Sequence, residues 1–189
     1  MLMKRILFLL SMLWVSMISI FAQVEIEVEK KTVKERLYQE AVDALEQQRF
    51  VVTFHTEDWG SSLRLALDGR RNFMIIDGQK GFFQTNVDPD FSYKNVDRGV
   101  GLTPLKMLES DVVKTEKKCD KKGDILYTVV LKGGNLVGVK NAKEAKITLK
   151  KGSNDVVVMV KYRGGNTSYK KGSLYPIDAA NIERGMLYR

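Results

Sequence analysis

The chain of 189 residues has one cysteine, one histidine and three prolines. One cysteine excludes an intrachain disulfide framework and a zinc site built from several cysteines. One histidine excludes metal motifs that need two histidines on one helix. Hydrophobic residues make up 44% of the chain and charged residues 29%. That balance supplies a buried core and excludes both a disordered chain and a membrane protein with several apolar spans.

The first twenty-two residues predict export. Lys4 and Arg5 precede an uncharged apolar stretch that ends at Ala22, which is the layout of a secretory signal peptide. We expect cleavage between Ala22 and Gln23, which leaves 29 basic and 23 acidic residues. The stretch is slightly longer than a usual signal core and slightly short of a spanning helix, so an uncleaved anchor is the alternative. Either way, the predicted location is the periplasm or the outer cell surface.

One amphipathic helix is predicted after a short strand over residues 24–28, where apolar and acidic residues alternate. Thr32 and Glu35 have the spacing of a capping box, in which hydroxyl and carboxylate satisfy backbone donors at a helix start. Apolar residues, Leu45 among them, then recur at steps of three and four. The pattern predicts a helix over residues 33–48.

From residue 50 onward the period changes to two, which is typical of strands. Phe50, Val52 and Phe54 begin the pattern, and Asp77-Gly78-Gln79-Lys80 predicts a tight hairpin turn. Further strand pairs flank short polar turns, whereas residues 86–110 look irregular. Tight turns indicate antiparallel pairing. We therefore predict a single α+β domain over 23–189, with an N-terminal amphipathic helix packed on a curved antiparallel β-meander, either a sandwich or a partly closed barrel.

The order of these elements resembles the exported bacterial family designated domain of unknown function 4251. The similar segments are Arg49-Phe50-Val51-Val52 after the helix, Gly123 and Gly152 in hairpin turns, and the closing Gly172-Ser173-Leu174-Tyr175-Pro176 with Gly185. The resemblance covers residues 33–185, and residues 86–110 fit it least. It implies export and a fold, and it supplies no activity and no functional residues.

Few residues are candidates for catalysis. His55 could act as a base only if a nucleophile and an orienting acid joined it in space, so we expect it to face solvent. Cys119 lies among lysines at a predicted hairpin end, and we expect it to be inert. Gly99-x-Gly101 precedes no helix, so it is not a dinucleotide motif and no cofactor is predicted. We therefore predict no catalytic and no cofactor-binding residues.

Residues 86–97 contain the candidate metal ligands. Asn86, Asp88, Asp90 and Asp97 partly follow the spacing of a calcium loop, but Phe91 replaces the required glycine. Asp88, Asp90 and Asp97 are thus candidate calcium ligands, against the simpler interpretation of a solvated loop.

These observations favour a non-catalytic domain of a bacterial envelope that binds a ligand or a partner. The expected partners are a small ligand, an envelope protein or an anionic glycan or lipid surface. Nucleic acid is not expected, although Tyr162, Arg163, Tyr169, Lys170 and Lys171 come nearest to a basic and aromatic surface. Two alternatives remain. One is a hydrolase that uses carboxylates, drawn from Glu57, Asp58, Asp88, Asp90 and Asp97. The other is a carrier of hydrophobic ligands inside an open barrel.

Overall fold

The computed structural model describes residues 29–59, 63–85, 106–133 and 142–188. The chain divides into two compact units, Met1–Arg36 and Leu37–Arg189. In the first unit the described residues, 29–36, are helical. The predicted signal peptide, its cleavage site at Ala22 and the predicted strand over 24–28 lie outside the described residues.

The helix differs from its prediction at both ends, because residues 29–46 are helical. Thr32 lies inside the helix, so the capping-box interpretation is wrong. At the other end, Gln48 adopts a left-handed φ of 54°. Its backbone N–H donates a hydrogen bond to the carbonyl oxygen of Leu45 at 3.2 Å. A left-handed residue is a common way to stop a helix, although glycine usually takes that position.

Strands account for most of the described residues of the second unit. In the described part of the chain they are β1 Arg49–Trp59, β2 Leu63–Ala66, β3 Phe73–Asp77, β4 Lys80–Gln84, β5 Lys106–Cys119, β6 Ile125–Lys132, β7 Ala142–Leu149, β8 Asp155–Tyr162, β9 Thr167–Pro176 and β10 Met186–Tyr188. Residues 106–110, predicted to be irregular, are strand because they pair with β4 on one side and β10 on the other.

Eight of these strands close into a barrel, in the order β5-β4-β3-β1-β9-β8-β7-β6 and back to β5. All eight neighbouring pairs are antiparallel. Strand β5 is 14 residues long, so its first half can pair with β4 and its second half with β6. The α+β class and the antiparallel sheet are confirmed. The sandwich and the partly closed barrel are wrong, because the β5–β6 and β1–β9 pairings leave no gap.

The tight turns fall where the sequence predicted them. Strands β3 and β4 pair Asp77 with Lys80 across a two-residue turn, in which Gly78 has a φ of 58°. The predicted hairpin across residues 120–124 joins β5 to β6. Similar hairpins join β7 to β8 and β8 to β9.

The barrel interior is packed with side chains. Alternate residues are buried along the whole of β6 and β8, and along β7 from Ala145 onward. The helix residues Ala41, Ala44 and Leu45 are at most 3% exposed and belong to the same core cluster. A smaller cluster, with Val51 and Ile75 on the opposite face of β1 and β3, packs against partly buried apolar residues of the segment after β9. Across the described ranges, no helix combines the length and apolar character that a bilayer crossing requires.

Candidate functional site

Two β-bulges mark one end of the barrel, which we call the far end. It is the end where β6 and β8 finish and β7 and β9 begin. The β5–β6 register shifts between Val112 and Lys114, and the β7–β8 register shifts between Ala142 and Glu144. The extra residues are therefore Val113 and Lys143. Bulges re-aim side chains and are enriched at barrel rims and beside functional sites.

Both extra residues line a groove at the far end, which we call the rim groove. Its volume is about 660 Å³. The described lining combines an apolar part with a cationic part and two turn glycines. The apolar residues are Val113, Val130, Leu131 and Tyr162, the cations are Lys132, Lys143, Lys161 and Arg163, and the glycines are Gly164 and Gly165.

The charge of the rim groove is positive. Its described lining contains four cationic side chains and no acidic one. Glu144 lies 3.0 Å from Lys161, so one of the four groove cations is already paired, and Asp111 lies 2.8 Å from Lys80, outside the lining. The hydrogen bond from Lys161 lowers the pKa of Glu144, and the hydrogen bond from Lys80 lowers the pKa of Asp111. The groove therefore presents a surplus of positive charge to an anion.

A third bulge, in β1, places a charged pair inside the barrel. The β1–β9 register shifts between Phe54 and Thr56, so His55 is the extra residue. After this shift Glu57 lies opposite Lys170, and the two side chains form an ion pair that is only 3% and 1% exposed. Without the bulge, the alternation that buries Phe54 would turn Glu57 towards the outside.

The Lys170 ammonium also contacts aromatic rings. Its Nζ atom lies 5.4 Å from the ring centre of Phe54 and 6.0 Å from that of Phe83, within the range of cation–π attraction. Burial lowers the pKa of Lys170, and the nearby Glu57 carboxylate acts in the opposite direction. The ion pair thus compensates a charge that would otherwise be costly to bury.

Tyr162 connects this interior pair with the rim groove. It lines the groove yet is only 7% exposed, and its hydroxyl lies 3.3 Å from Ser168 Oγ. Its ring packs edge-on against Phe83 at 6.2 Å. Burial, and secondly the charge of Glu57, raise the pKa of Tyr162. The phenol is therefore neutral at physiological pH.

His55 and Cys119 are both exposed, and solvent exposure is what the sequence predicted for His55. His55 lies on the surface, with Nε2 3.3 Å from Ser173 Oγ. Glu57, which lies two residues further along the chain, is not available as an orienting acid because it is buried in the ion pair with Lys170. Cys119 is exposed at the end of β5. The described residues around His55 therefore do not form a triad.

The remaining candidate residues fall into two sets, the calcium candidates and the nucleic-acid candidates. Asp88, Asp90 and Asp97 lie outside the described residues. Within the described ranges, no three His, Cys, Asp or Glu side chains are grouped so that they could hold a metal ion. The five residues considered for nucleic acid are separated: Tyr162 and Arg163 line the groove, Lys170 is buried, and Tyr169 and Lys171 are exposed on β9.

Sequence reasoning missed the residues that make the rim groove. Lys132, Lys143 and Lys161 lie on three different strands, so no local motif joins them. Other lysines lie in exposed ion pairs on a single strand, as Lys114 and Lys118 do with Glu116 on β5. A bulge has no reliable signature in a single sequence, and the extra residues of two bulges, Val113 and Lys143, both line the groove.

The structure thus defines a closed antiparallel barrel with an N-terminal helix and a cation-lined groove at one rim. This chain is similar to a crystal structure of a DUF4251 family protein from Bacteroides eggerthii, with a TM-score of 0.64 and 24% sequence identity. The match covers 80% of this chain and 95% of that one. It confirms the fold and supports the resemblance identified from the sequence. No protein-family model matches the chain, and no curated protein does.

Proposed function

We propose that this chain is an exported, non-catalytic domain of a bacterial envelope, of the domain of unknown function 4251 family, that binds a small anionic ligand in the rim groove. The observation that carries the proposal is the groove's described lining, which holds four cations and no acid. Small-molecule sites have volumes of roughly 300–1,000 Å³, and the groove, at about 660 Å³, falls within that range.

The hydrolase alternative receives less support from the described acids. A glycosidase of the usual kind needs two carboxyl groups facing one another across the substrate, about 5 to 10 Å apart. Glu57 is paired with Lys170 inside the barrel, Glu144 is paired with the groove residue Lys161, and Asp111 is paired with Lys80. These carboxylates contribute to structure and leave the groove cationic.

The carrier alternative needs space inside the barrel. The described interior is filled by a continuous cluster of buried side chains, which includes Phe50, Phe54 and Leu45. Among the described residues, the rim groove has a volume suited to a small ligand, so we place binding there.

The anionic fluorophore 1-anilinonaphthalene-8-sulfonate provides a direct test of the groove. We expect the Lys132→Gln/Lys143→Gln variant to bind it about tenfold more weakly than the unmodified protein, because two of four cations are lost. Lys121→Gln/Lys150→Gln is the matched control, since it removes the same charge from exposed turns at the opposite end. Equal affinities in the two double variants would contradict groove binding.

Export is tested by the mass of the protein purified from a bacterial envelope. Cleavage predicts a chain that begins at Gln23. A purified chain that keeps residues 1–22 would instead support the uncleaved anchor, and a chain that stays in the cytoplasm would contradict export altogether.

A further inference from the structure

We infer that the ligand of the rim groove is an amphiphilic anion: a head group that only accepts hydrogen bonds, such as a carboxylate or phosphate, on a single hydrocarbon chain. This inference rests on the proposed function and names the class of ligand. It also distinguishes between two of the predicted partners, because a lipid-like anion and an anionic glycan need different side chains in the groove.

The polar side chains of the described lining are hydrogen-bond donors. Lysine and arginine side chains donate hydrogen bonds and have no acceptor. The Tyr162 hydroxyl is engaged with Ser168 Oγ and is buried. No Asn, Gln, Ser, Thr, Asp or Glu side chain is present among the described lining residues. Sugar hydroxyls must donate as well as accept, so a glycan would leave its donors unmatched by these side chains, at a cost.

The apolar part of the lining is exposed where a hydrocarbon chain could cover it. Val113 is 59% exposed, and it is one of three large hydrophobic residues exposed in the described part of the chain. Val113 is the extra residue of the β5 bulge, and Val130 and Leu131 line the same groove. Lysine stems add further apolar surface while their ammonium groups remain available. Covering this surface with a hydrocarbon chain is favourable.

The cationic and the apolar lining residues are neighbours, so one ligand can place its head group on the first and its hydrocarbon chain on the second. Lys132 directly follows Val130 and Leu131 on β6, and Lys143 and Lys161 lie on the next two strands of the barrel. A carboxylate or phosphate among these lysines would be within one or two residues of the apolar lining. The groove volume of about 660 Å³ suits one small molecule, so we assign the groove to a free amphiphile and not to a lipid that remains in a bilayer.

Isothermal titration calorimetry with four probes below their micelle-forming concentrations tests this assignment. The probes are decanoate, hexanoate, decanol and a heparin-derived tetrasaccharide. We expect decanoate to bind about tenfold or more tightly than hexanoate, because four more methylenes are covered. We expect decanol to bind about tenfold more weakly than decanoate, because it lacks the charge.

Variants locate the two parts of the ligand. Lys132→Gln/Lys143→Gln is expected to weaken decanoate binding about tenfold and to leave decanol unchanged. Val113→Asn is expected to reduce the advantage of decanoate over hexanoate, while hexanoate binding stays the same. Lys121→Gln/Lys150→Gln is the control for lost net charge and is expected to bind every probe like the unmodified protein.

The results that would overturn the inference are distinct from those that would overturn the proposed function. Equal affinity for hexanoate and decanoate, or tighter binding of the tetrasaccharide, would overturn the amphiphile. If that binding still depended on Lys132 and Lys143, the groove would remain an anion site. Co-sedimentation with phosphatidylglycerol vesicles in the absence of decanoate binding would overturn the free amphiphile in favour of a membrane lipid. If no probe depended on those lysines, both proposals would fail.

Discussion

The two ends of the barrel are built from the same strands but differ in their interior chemistry. At the end where β1 begins, the cluster is apolar: Phe50 packs edge-on against Tyr127 at 5.6 Å, and Leu45 of the helix is 1% exposed. Towards the far end, the interior holds a buried ion pair and a buried phenol, and the rim carries four cations.

The difference follows from the regularity of the strands. Unbroken alternation at the first end sends one apolar face inwards, as in β6, where every second residue is buried. The bulges at Val113 and Lys143, and the one at His55 within β1, each break that alternation. Regular pairing therefore produces a stable core, whereas each break in pairing gives a polar or exposed side chain a new position.

The largest expected effect is at the apolar end. Leu45→Asp would bury a charge without a partner in a site that is 1% exposed, and we expect a loss of about 4 kcal/mol or more in the free energy of unfolding, measured with urea. Gln47→Asp, at an exposed site two residues away, should change it by less than about 0.5 kcal/mol. Similar losses in both variants would show that this end does not depend on apolar packing.

The ion pair gives the next largest effect and tests the polar interior. Lys170→Met would leave Glu57 buried without its partner, so we expect a loss of about 3–5 kcal/mol in unfolding free energy. Adding Glu57→Gln should recover part of that loss. Lys118→Met is the matched control, because Lys118 lies 2.7 Å from Glu116 in an exposed pair, which is worth about 0–1 kcal/mol. Equal losses for Lys118→Met and Lys170→Met would contradict the distinction between buried and exposed pairs.

Gly172 tests the close approach of β1 and β9 beside the His55 bulge. An added Cβ would lie 1.7 Å from the Thr53 carbonyl oxygen, so Gly172→Ala must move backbone atoms. We expect a loss of about 2 kcal/mol in the free energy of unfolding, measured with urea. Gly78 has a positive φ, but no atom lies within 4 Å of an added Cβ. Gly78→Ala is therefore expected to lower the free energy of unfolding by about 1 kcal/mol, from backbone strain alone. A smaller loss at Gly172 than at Gly78 would show that the two strands can separate easily.

Substitution of Tyr162 has the smallest expected effect on the free energy of unfolding, and that effect should depend on pH. Tyr162→Phe removes the contact with Ser168 and should cost about 1 kcal/mol at pH 7. Burial raises the pKa of Tyr162 above its usual 10.0, so the unfolded chain loses this proton first. The stabilisation is therefore fully present below pH 10 and is lost as the pH rises further.

The measurement is urea unfolding of both proteins between pH 7 and pH 11. The stability advantage of the unmodified protein over Tyr162→Phe should narrow above pH 10. Tyr169→Phe, at an exposed site, should differ from the unmodified protein by less than about 0.5 kcal/mol at pH 7. A constant difference between the unmodified protein and Tyr162→Phe over the whole pH range would mean that the phenol is not buried as described.

The sequence predicted the parts of the fold that depend on local patterns. Period-two alternation identified the strands, and Asp77-Gly78-Gln79-Lys80 identified a hairpin turn that the structure confirms. Barrel closure was not predictable in this way, because it depends on pairing between β1 and β9, which lie far apart in the sequence. The rim groove was also missed, since a single inserted residue such as Lys143 changes which side chains face a site without changing the composition.

Closure by β9 has a consequence for shortened forms of the chain. Strand β9 lies between β1 and β8, and it joins positions as far apart as Thr53 and Ser173, which are 120 residues apart. A chain that stops before Thr167 would leave both β1 and β8 with a row of unpaired backbone groups. Such rows recruit strands from other molecules. We therefore expect a truncated product to aggregate instead of persisting as a smaller domain, because β9 covers the exposed edges of both β1 and β8.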